Sequence, residues 1–174
     1  MRKVWCMNLK DNRATDRKNK DSELKVRLCV EKEIIAIGWS VPEVINSWQE
    51  YLAVADKFWG TENEYIVGTN AIKEMAYGDL VWVKNPVNDE FYIAEILDKA
   101  HDPSIYSNLT EFDICAYRKC RFFYVKQSHL IDELCKKNLV VRHAIERISP
   151  SRQNTIDATN ALFDEIRRKT NETF

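Results

Sequence analysis

Residues 79–96 read DLVWVKNPVNDEFYIAEI, and this stretch decides the fold class. Two runs rich in β-branched and aromatic residues, 79–84 and 90–96, flank a short polar segment that contains one proline and two asparagines. Proline and asparagine between two such runs are typical of a turn. The stretch therefore predicts an antiparallel hairpin, and it gives no indication of a doubly wound sheet, in which parallel strands alternate with helices.

The segments before the hairpin predict both strands and helices. Three apolar or alternating runs predict strands at 3–8, 24–30 and 34–39. The polar segment 10–22 has no aliphatic side chain longer than alanine, so we expect a flexible loop. Ser40 is predicted to cap a helix that extends to about residue 57, and Thr69 to begin a short helix that ends at Gly78.

The segments after the hairpin continue the mixed pattern. We predict a strand over 121–125, a helix from Ser128 to about residue 136, strands at 139–141 and 144–148, and a C-terminal helix over 153–174. Strands outnumber helices, which favours an α+β fold: a small twisted mixed β-barrel with helices packed outside. The length of 174 residues suits one domain that spans residues 1–174.

Composition limits the function classes. The net charge is −1, so the whole chain gives no electrostatic argument for nucleic-acid binding. The five cysteines form no C-x-x-C pair, which favours free thiols in a reducing compartment over a zinc site. No apolar run approaches the ~18 residues of a membrane span. We therefore expect a cytoplasmic protein with no metal, no cofactor and no membrane partner.

Two local segments are basic despite the neutral balance. One lies within residues 10–27 and the other over 118–121. Such patches can bind phosphate, and the candidate phosphate-binding residues are Arg13, Arg17, Lys18, Arg118, Lys119 and Arg121. A solvated loop and a solvated strand edge explain the same residues equally well.

Searches for catalytic motifs favour a non-enzymatic protein. The chain has no G-x-S-x-G motif, and its four glycines form no phosphate loop. The tripeptide 23–25 spells the E-x-K half of a metal-nuclease site, but it follows a polar segment unsuited to holding a metal. We therefore expect no enzymatic activity.

Three tryptophans define a candidate binding slot. Trp5, Trp39 and Trp82 each lie on or at the end of a predicted strand, where flat side chains can stack on a planar ring. Nearby polar groups suited to reading the edge of such a ring are Asn8, Ser40 and Asp113. The alternative is that the tryptophans belong to the core, and the residues alone favour that alternative for each of them.

Longer motifs resemble a known superfamily. Val4-Trp5, then Ile35-Ala36-Ile37-Gly38-Trp39, then the run from Met75 to Val83, and finally Tyr92 to Ile96 follow one another in order. This series resembles the PUA-like superfamily that includes EVE, ASCH and YTH domains. It is most similar to the N-terminal domain of Mrr-type modification-dependent restriction enzymes. Residues 144–148 and 157–159 also resemble the end of that domain.

The resemblance implies a function that the residues alone do not. It implies a nucleic-acid-binding module that accepts a flipped, modified base, in DNA, between Trp5, Trp39 and Trp82. It also implies a link to restriction or antiviral defence, with a nuclease or another defence protein as partner. No nuclease domain follows here, so we expect a free-standing reader, an excised domain or a specificity subunit. The alternative function is a protein-interaction or small-ligand-sensing subunit that uses the same barrel.

Overall fold

The structure, a computed structural model, describes residues 2–9, 18–85, 90–106, 113–131 and 145–171. Within these residues the strands are β1 (Val4–Met7), β2 (Ile34–Ile37), β3 (Leu80–Lys84), β4 (Phe91–Ile96), β5 (Ser104–Ile105), β6 (Ala116–Val125) and β7 (Ile145–Arg147). The helices are α1 (Lys18–Lys32), α2 (Trp48–Trp59), α3 (Asn63–Glu74) and α4 (Gln153–Asn171). Two 3₁₀ turns lie at Gln127–His129 and Pro150–Arg152.

The strands form one curled mixed sheet. Its order is β2-β6-β4-β3-β1-β7, and β5 pairs with β6 away from this path. β1 runs parallel to β3, whereas the other pairs are antiparallel. The sheet curls into a half-barrel with the helices outside, so the predicted α+β class and small twisted barrel are confirmed. The predicted hairpin is β3–β4, in which Leu80 lies opposite Glu95.

Both faces of the sheet are covered, because side chains alternate along each strand. On one face, Trp5 and Met7 of β1 pack in the same core as residues of α1, α2 and α3. We call this the α1–α3 face. On the other face, Val4 and Cys6 pack with side chains of β3, β4 and β6 and with α4. We call this the α4 face; its buried members are Val4, Cys6, Leu80, Trp82, Phe91, Ile93, Phe123, Val125, Ile148, Ile156 and Phe163.

The strand predicted at 24–30 is wrong, because this segment belongs to α1. Its apolar residues also fit helical spacing, and Val26 and Cys29 are both buried on one side of the helix. The loop predicted over 10–22 is wrong for residues 18–22, which begin α1. Residues 10–17 lie outside the described residues.

The predicted helix starts also need correction. Ser47, not Ser40, caps α2: its side chain accepts a hydrogen bond from the Glu50 amide at 3.2 Å. The segment 40–47 forms neither helix nor strand. Thr69 lies inside α3, where its hydroxyl donates to the Tyr65 carbonyl at 2.8 Å.

The later predictions agree more closely with the structure. Residues 121–125 are the second half of β6, β7 lies within 144–148, and the C-terminal helix extends through Asn171. The predicted helix from Ser128 starts within a 3₁₀ turn, and its remainder beyond residue 131 lies outside the described residues, as do 139–141 and 172–174. Among the helices described, none is long and apolar enough to span a membrane.

Candidate functional site

A cavity of about 160 Å³ lies where β2 gives way to the irregular segment 40–47. That segment forms one wall, and α2, β5 and the start of β6 contribute the others. The cavity is lined by Ser40, Val41, Pro42, Glu43, Val44, Ile45, Tyr51, Ile105, Tyr106 and Cys115. Most of this lining is apolar, with a few polar groups, as is usual for sites that bind small molecules.

Two residues in the left-handed region frame the cavity. Trp39 has a φ of 67° and Asp113 a φ of 50°, values that are uncommon for residues other than glycine. The Asp113 carboxylate accepts hydrogen bonds from the Ser40 amide at 3.1 Å and from the Ser40 hydroxyl at 3.0 Å. These bonds fix Ser40 in the cavity wall, so the unusual backbone is held by specific contacts.

Gly38 permits this arrangement. A Cβ atom at this position would lie 2.4 Å from the Asp113 carboxylate oxygen Oδ2, closer than two such atoms can approach. The carboxylate therefore occupies the space where any other residue would place its side chain. This close approach gives a physical reason for glycine before Trp39 and Ser40.

A buried lysine supports the same residue from behind. Lys25 of α1 is only 3 % exposed, and its ammonium donates to the Asp113 carbonyl at 3.1 Å. A charged group is costly to bury unless polar partners compensate for its lost hydration. Both the side chain and the backbone of Asp113 are therefore held in place, the former by Ser40 and the latter by α1.

Tyr51 and Cys115 form the polar part of the cavity floor. The Tyr51 hydroxyl donates to the Trp39 carbonyl at 3.2 Å, and the Cys115 thiol donates to the Gly38 carbonyl. Burial raises the pKa of Cys115 to about 12 and also raises the pKa of Tyr51. Both groups are therefore protonated at neutral pH, which makes Cys115 a poor nucleophile.

The three predicted slot tryptophans do not come together. Trp5 lies on the α1–α3 face and donates from Nε1 to Asp79 at 3.1 Å. Trp82 lies on the α4 face, where its Nε1 donates to the Thr159 hydroxyl at 3.1 Å. Because Trp5 pairs in register with Val81, Trp82 must point to the opposite side of the sheet. The predicted slot between all three tryptophans is therefore wrong, because Trp5 and Trp82 lie on opposite faces of the sheet.

The side chain of Trp39 does not line the cavity either. Its ring packs against Gly68 of α3, where an added Cβ would lie 2.4 Å from the ring, and it makes an edge contact with Tyr65. Only the backbone of Trp39 shapes the site, through its left-handed φ and the carbonyl that Tyr51 contacts. The ring belongs to the core.

Asp79, which follows Gly78, fixes a turn. Its carboxylate accepts hydrogen bonds from the Lys3 amide, the Trp5 indole and the Ala76 amide, at 2.9 to 3.1 Å. Gly78 itself has a φ of 85°. The pair connects α3 to β3 along the chain, and the Asp79 carboxylate links this turn to β1 through Lys3 and Trp5.

The predicted polar readers have different positions. Ser40 lines the cavity, and Asp113 lies directly behind it without lining it. Asn8, which is partly buried just after β1, does not line the cavity. The structure thus brings two of the three together.

The predicted phosphate contacts are corrected at Arg118. This residue is 1 % exposed, and its guanidinium donates to five backbone carbonyls, those of Ile72, Lys73, Ala100, His101 and Asp102. It joins the end of α3 to the 100–102 loop and has no surface for a phosphate. Lys119 and Arg121 are exposed on β6. Arg13 and Arg17, as well as the side chain of Lys18, lie outside the described residues.

The structure also bears on the metal-nuclease hypothesis. Glu23 and Lys25 lie on α1, so the E-x-K tripeptide is helical and does not form the strand that a metal-nuclease site needs. In the part of the chain that the structure describes, no group of three or more His, Cys, Asp or Glu residues is placed to hold a metal ion.

The cavity residues that sequence reasoning missed are Val41, Pro42, Glu43, Val44, Ile45, Tyr51, Ile105, Tyr106 and Cys115. They come from separate segments, and nothing in their local sequence distinguishes them. The available signal was Gly38-Trp39-Ser40, where a glycine and a serine directly follow a buried strand.

Comparisons with known proteins add little. No family model matches the chain, and no curated protein matches it. One solved structure, that of protein Atu2648 from Agrobacterium tumefaciens, is 11% identical, with 92% of each chain covered and a TM-score of 0.34. A similarity this low supports no inference about fold or function.

Proposed function

We propose that this protein is a binding module that accepts a planar ring, the base of a nucleic acid, in the cavity beside Ser40 and Tyr51. The observation that carries the proposal is the unusual backbone conformation beside this cavity. Trp39 and Asp113 are both left-handed, and the Ser40–Asp113 hydrogen bonds hold them together. Unusual backbone conformations cost free energy and cluster at functional sites.

The size and lining of the cavity support a ligand of one small ring system. Its volume of about 160 Å³ is below the roughly 300–1,000 Å³ of pockets for drug-sized molecules. Tyr51 and Tyr106 supply aromatic rings, and Ile45 and Ile105 supply apolar surface. Stacking of a base on an aromatic side chain contributes about 1–3 kcal/mol. That is comparable with the few kcal/mol needed to remove a base from its stack.

The exposed residues of β6 are the phosphate contacts of this proposal. Lys119 and Arg121 are exposed at alternate positions of β6, the strand whose first residue directly follows Cys115, and they share the α4 face with Phe123. A nucleic acid that contacts both of them and the cavity would therefore have to pass around the sheet. A nucleic acid bound through them would lose affinity as salt rises, because phosphate contacts release counterions. A modified base, a preference for DNA and a link to restriction or defence stay predictions from the resemblance.

A free small molecule is the second candidate ligand. Among the described residues, neither lysine nor arginine lines the cavity, and Glu43 is the one charged residue of the lining. This lining favours an uncharged or cationic ligand at the cavity itself. A salt titration separates the two candidates, since only the nucleic acid requires contacts to phosphate.

The test is nucleoside and oligonucleotide binding followed by amide chemical shifts. We expect adenosine, cytidine and a single-stranded DNA decamer that contains 5-methylcytosine to shift amides of residues 38–45. Tyr106→Ala is expected to weaken binding by about five- to a hundredfold, the range that loss of one stacking contact gives.

Tyr77→Ala is the matched control, because Tyr77 is 57 % exposed and does not line the cavity. It should leave the affinity unchanged. Absence of shifts in residues 38–45 with every probe would refute the proposed function, and equal weakening by both variants would exclude a stacking role for Tyr106.

A further inference from the structure

The hydrogen atoms of three polar side chains in the cavity wall are already used within the protein. The Ser40 hydroxyl donates to Asp113 at 3.0 Å, the Tyr51 hydroxyl to the Trp39 carbonyl at 3.2 Å, and the Cys115 thiol to the Gly38 carbonyl. Each of these groups carries only one hydrogen on its heteroatom. None of the three therefore has a side-chain donor left for a ligand.

The remaining polar capacity of these side chains is to accept. The oxygens of Ser40 and Tyr51 keep lone pairs, and the side-chain oxygens of Glu43 are also acceptors. The Tyr106 hydroxyl can donate or accept. Among the described residues, the polar side chains that line the cavity therefore offer more acceptors than donors, so a ligand that carries N–H donors complements them.

We infer that the cavity selects rings whose polar edge carries an exocyclic amino group over the same rings with a carbonyl in its place. This inference rests on the proposed function, since it assigns the ligand class of the same cavity. An amino group brings two N–H donors to the acceptor-rich wall. A carbonyl oxygen at that position would face other acceptors, and both would lose hydration without gaining a hydrogen bond.

Two nucleoside pairs test this selection directly. Adenosine against inosine, and cytidine against uridine, each exchange the exocyclic amino group for a carbonyl with little change in shape, while the adjacent ring nitrogen changes from an acceptor to a single N–H donor. We expect the amino member of each pair to bind at least about tenfold more tightly, because sites built around a specific hydrogen bond reject analogues that lack it.

A substitution at Glu43, the charged residue among the described lining, tests the mechanism. Glu43→Gln keeps the size of the side chain but adds an N–H donor, so the preference for adenosine over inosine should fall about three- to tenfold, the range of a modest hydrogen-bond change. Glu43 is exposed, so this variant should fold normally. Glu62→Gln is the matched control, since Glu62 is exposed beside the start of α3 and does not line the cavity.

The outcomes distinguish failure of the amino-group selection from failure of the proposed binding function. If inosine and uridine bind as tightly as their amino partners, the donor requirement is wrong while the binding function stands. If Glu43→Gln leaves the adenosine preference unchanged, Glu43 is not the acceptor that sets it. If none of the four nucleosides shifts residues 38–45 at millimolar concentration, the proposed function and this selection both fail.

Discussion

The α4 face and the cavity end of this protein are built on opposite principles. The α4 face consists mainly of apolar side chains. Its polar groups are paired: Trp82 donates its indole N–H to Thr159, and Glu95 of β4 pairs with Arg167 of α4 at 3.4 Å. The cavity end contains a buried lysine, a buried aspartate and two left-handed residues that are not glycine. The first region follows ordinary core packing, whereas the second departs from it in several ways at once.

The difference indicates which region is not optimised for stability alone. Buried charges and unusual backbone conformations each cost free energy, so a region that combines them is less stable than a well-packed apolar core would be. Real proteins tend to break the rules of local consistency at functional sites. The contrast therefore favours the cavity end over the α4 face as the binding site.

The largest expected effect is on the α4 face. Trp82→Ala should lower the free energy of unfolding by about 3–5 kcal/mol, because it leaves a large void and removes the indole donor to the Thr159 hydroxyl, which keeps its bond to the Thr155 carbonyl. Urea denaturation measures this loss. Thr159→Val keeps the volume but removes the hydrogen bonds to Trp82 and Thr155 and leaves the buried indole N–H unpaired, so it should cost about 1–3 kcal/mol. A stable Trp82→Ala protein that has lost ligand binding would reverse our comparison of the two regions.

The second effect is a loss of stability at alkaline pH that involves both regions. Burial raises the pKa of Cys6, on the α4 face, and of Cys115, at the cavity, from 9.0 to about 12. The folded state therefore keeps protons that the unfolded state releases above pH 9. The stabilisation is complete below pH 9 and is lost as pH rises towards 12.

Urea titrations at about pH 8 and about pH 10 check this dependence. At one unit above 9 each thiol should contribute up to about 1.4 kcal/mol to the decrease. Cys6→Ala and Cys115→Ala should each make the decrease smaller by that amount. A decrease of the same size in both variants and in the parent protein would show that these thiols titrate normally.

The third effect concerns the close contact at Gly38. Gly38→Ala should cost about 1–3 kcal/mol, because the added Cβ would meet the Asp113 carboxylate. It should also weaken ligand binding by displacing Ser40. Asp113→Gly tolerates the left-handed φ and removes the carboxylate, so the double variant should be less destabilised than the sum of the two single variants. Additive effects would contradict the proposed contact.

The smallest effect on stability is expected at the surface of β6. Lys119→Ala and Arg121→Ala should each change the free energy of unfolding by less than about 0.5 kcal/mol, because both side chains are exposed. If they contact phosphate, they should weaken oligonucleotide binding and lower its salt dependence, without changing nucleoside binding. Unchanged oligonucleotide binding in both variants would favour the free small molecule as ligand.

Local patterns predicted much of the fold. The hairpin β3–β4, the strands β1 and β2 and the C-terminal helix α4 all follow from periodicity and turn residues close together in sequence. The pattern failed at α1, because the run from Leu24 to Val30 fits both a strand and a helix. Only the packing of Val26 and Cys29 on the sheet decides between them.

The candidate site was far less predictable. Ser40 and Asp113 were identified as polar readers, and the structure joins them, although they are 73 positions apart in sequence. Tyr51, Tyr106 and Cys115 were missed, because a cavity is defined by distance between segments. The prediction of a slot between the three tryptophans failed for the same reason. Their positions on strands do not show which face of the sheet each ring occupies.

The sequence by itself therefore determined the α+β class, the central hairpin and the strand that precedes Gly38, whereas the contact that requires glycine there came from the tertiary structure. Tertiary structure alone decided that Trp5 and Trp82 lie on opposite faces, that Arg118 is buried among carbonyls, and that a cavity forms beside Ser40. The physical reason is that local propensity acts over a few residues. The register of β1 on β3, and the contact of Lys25 with Asp113, depend on segments that meet only when the chain folds.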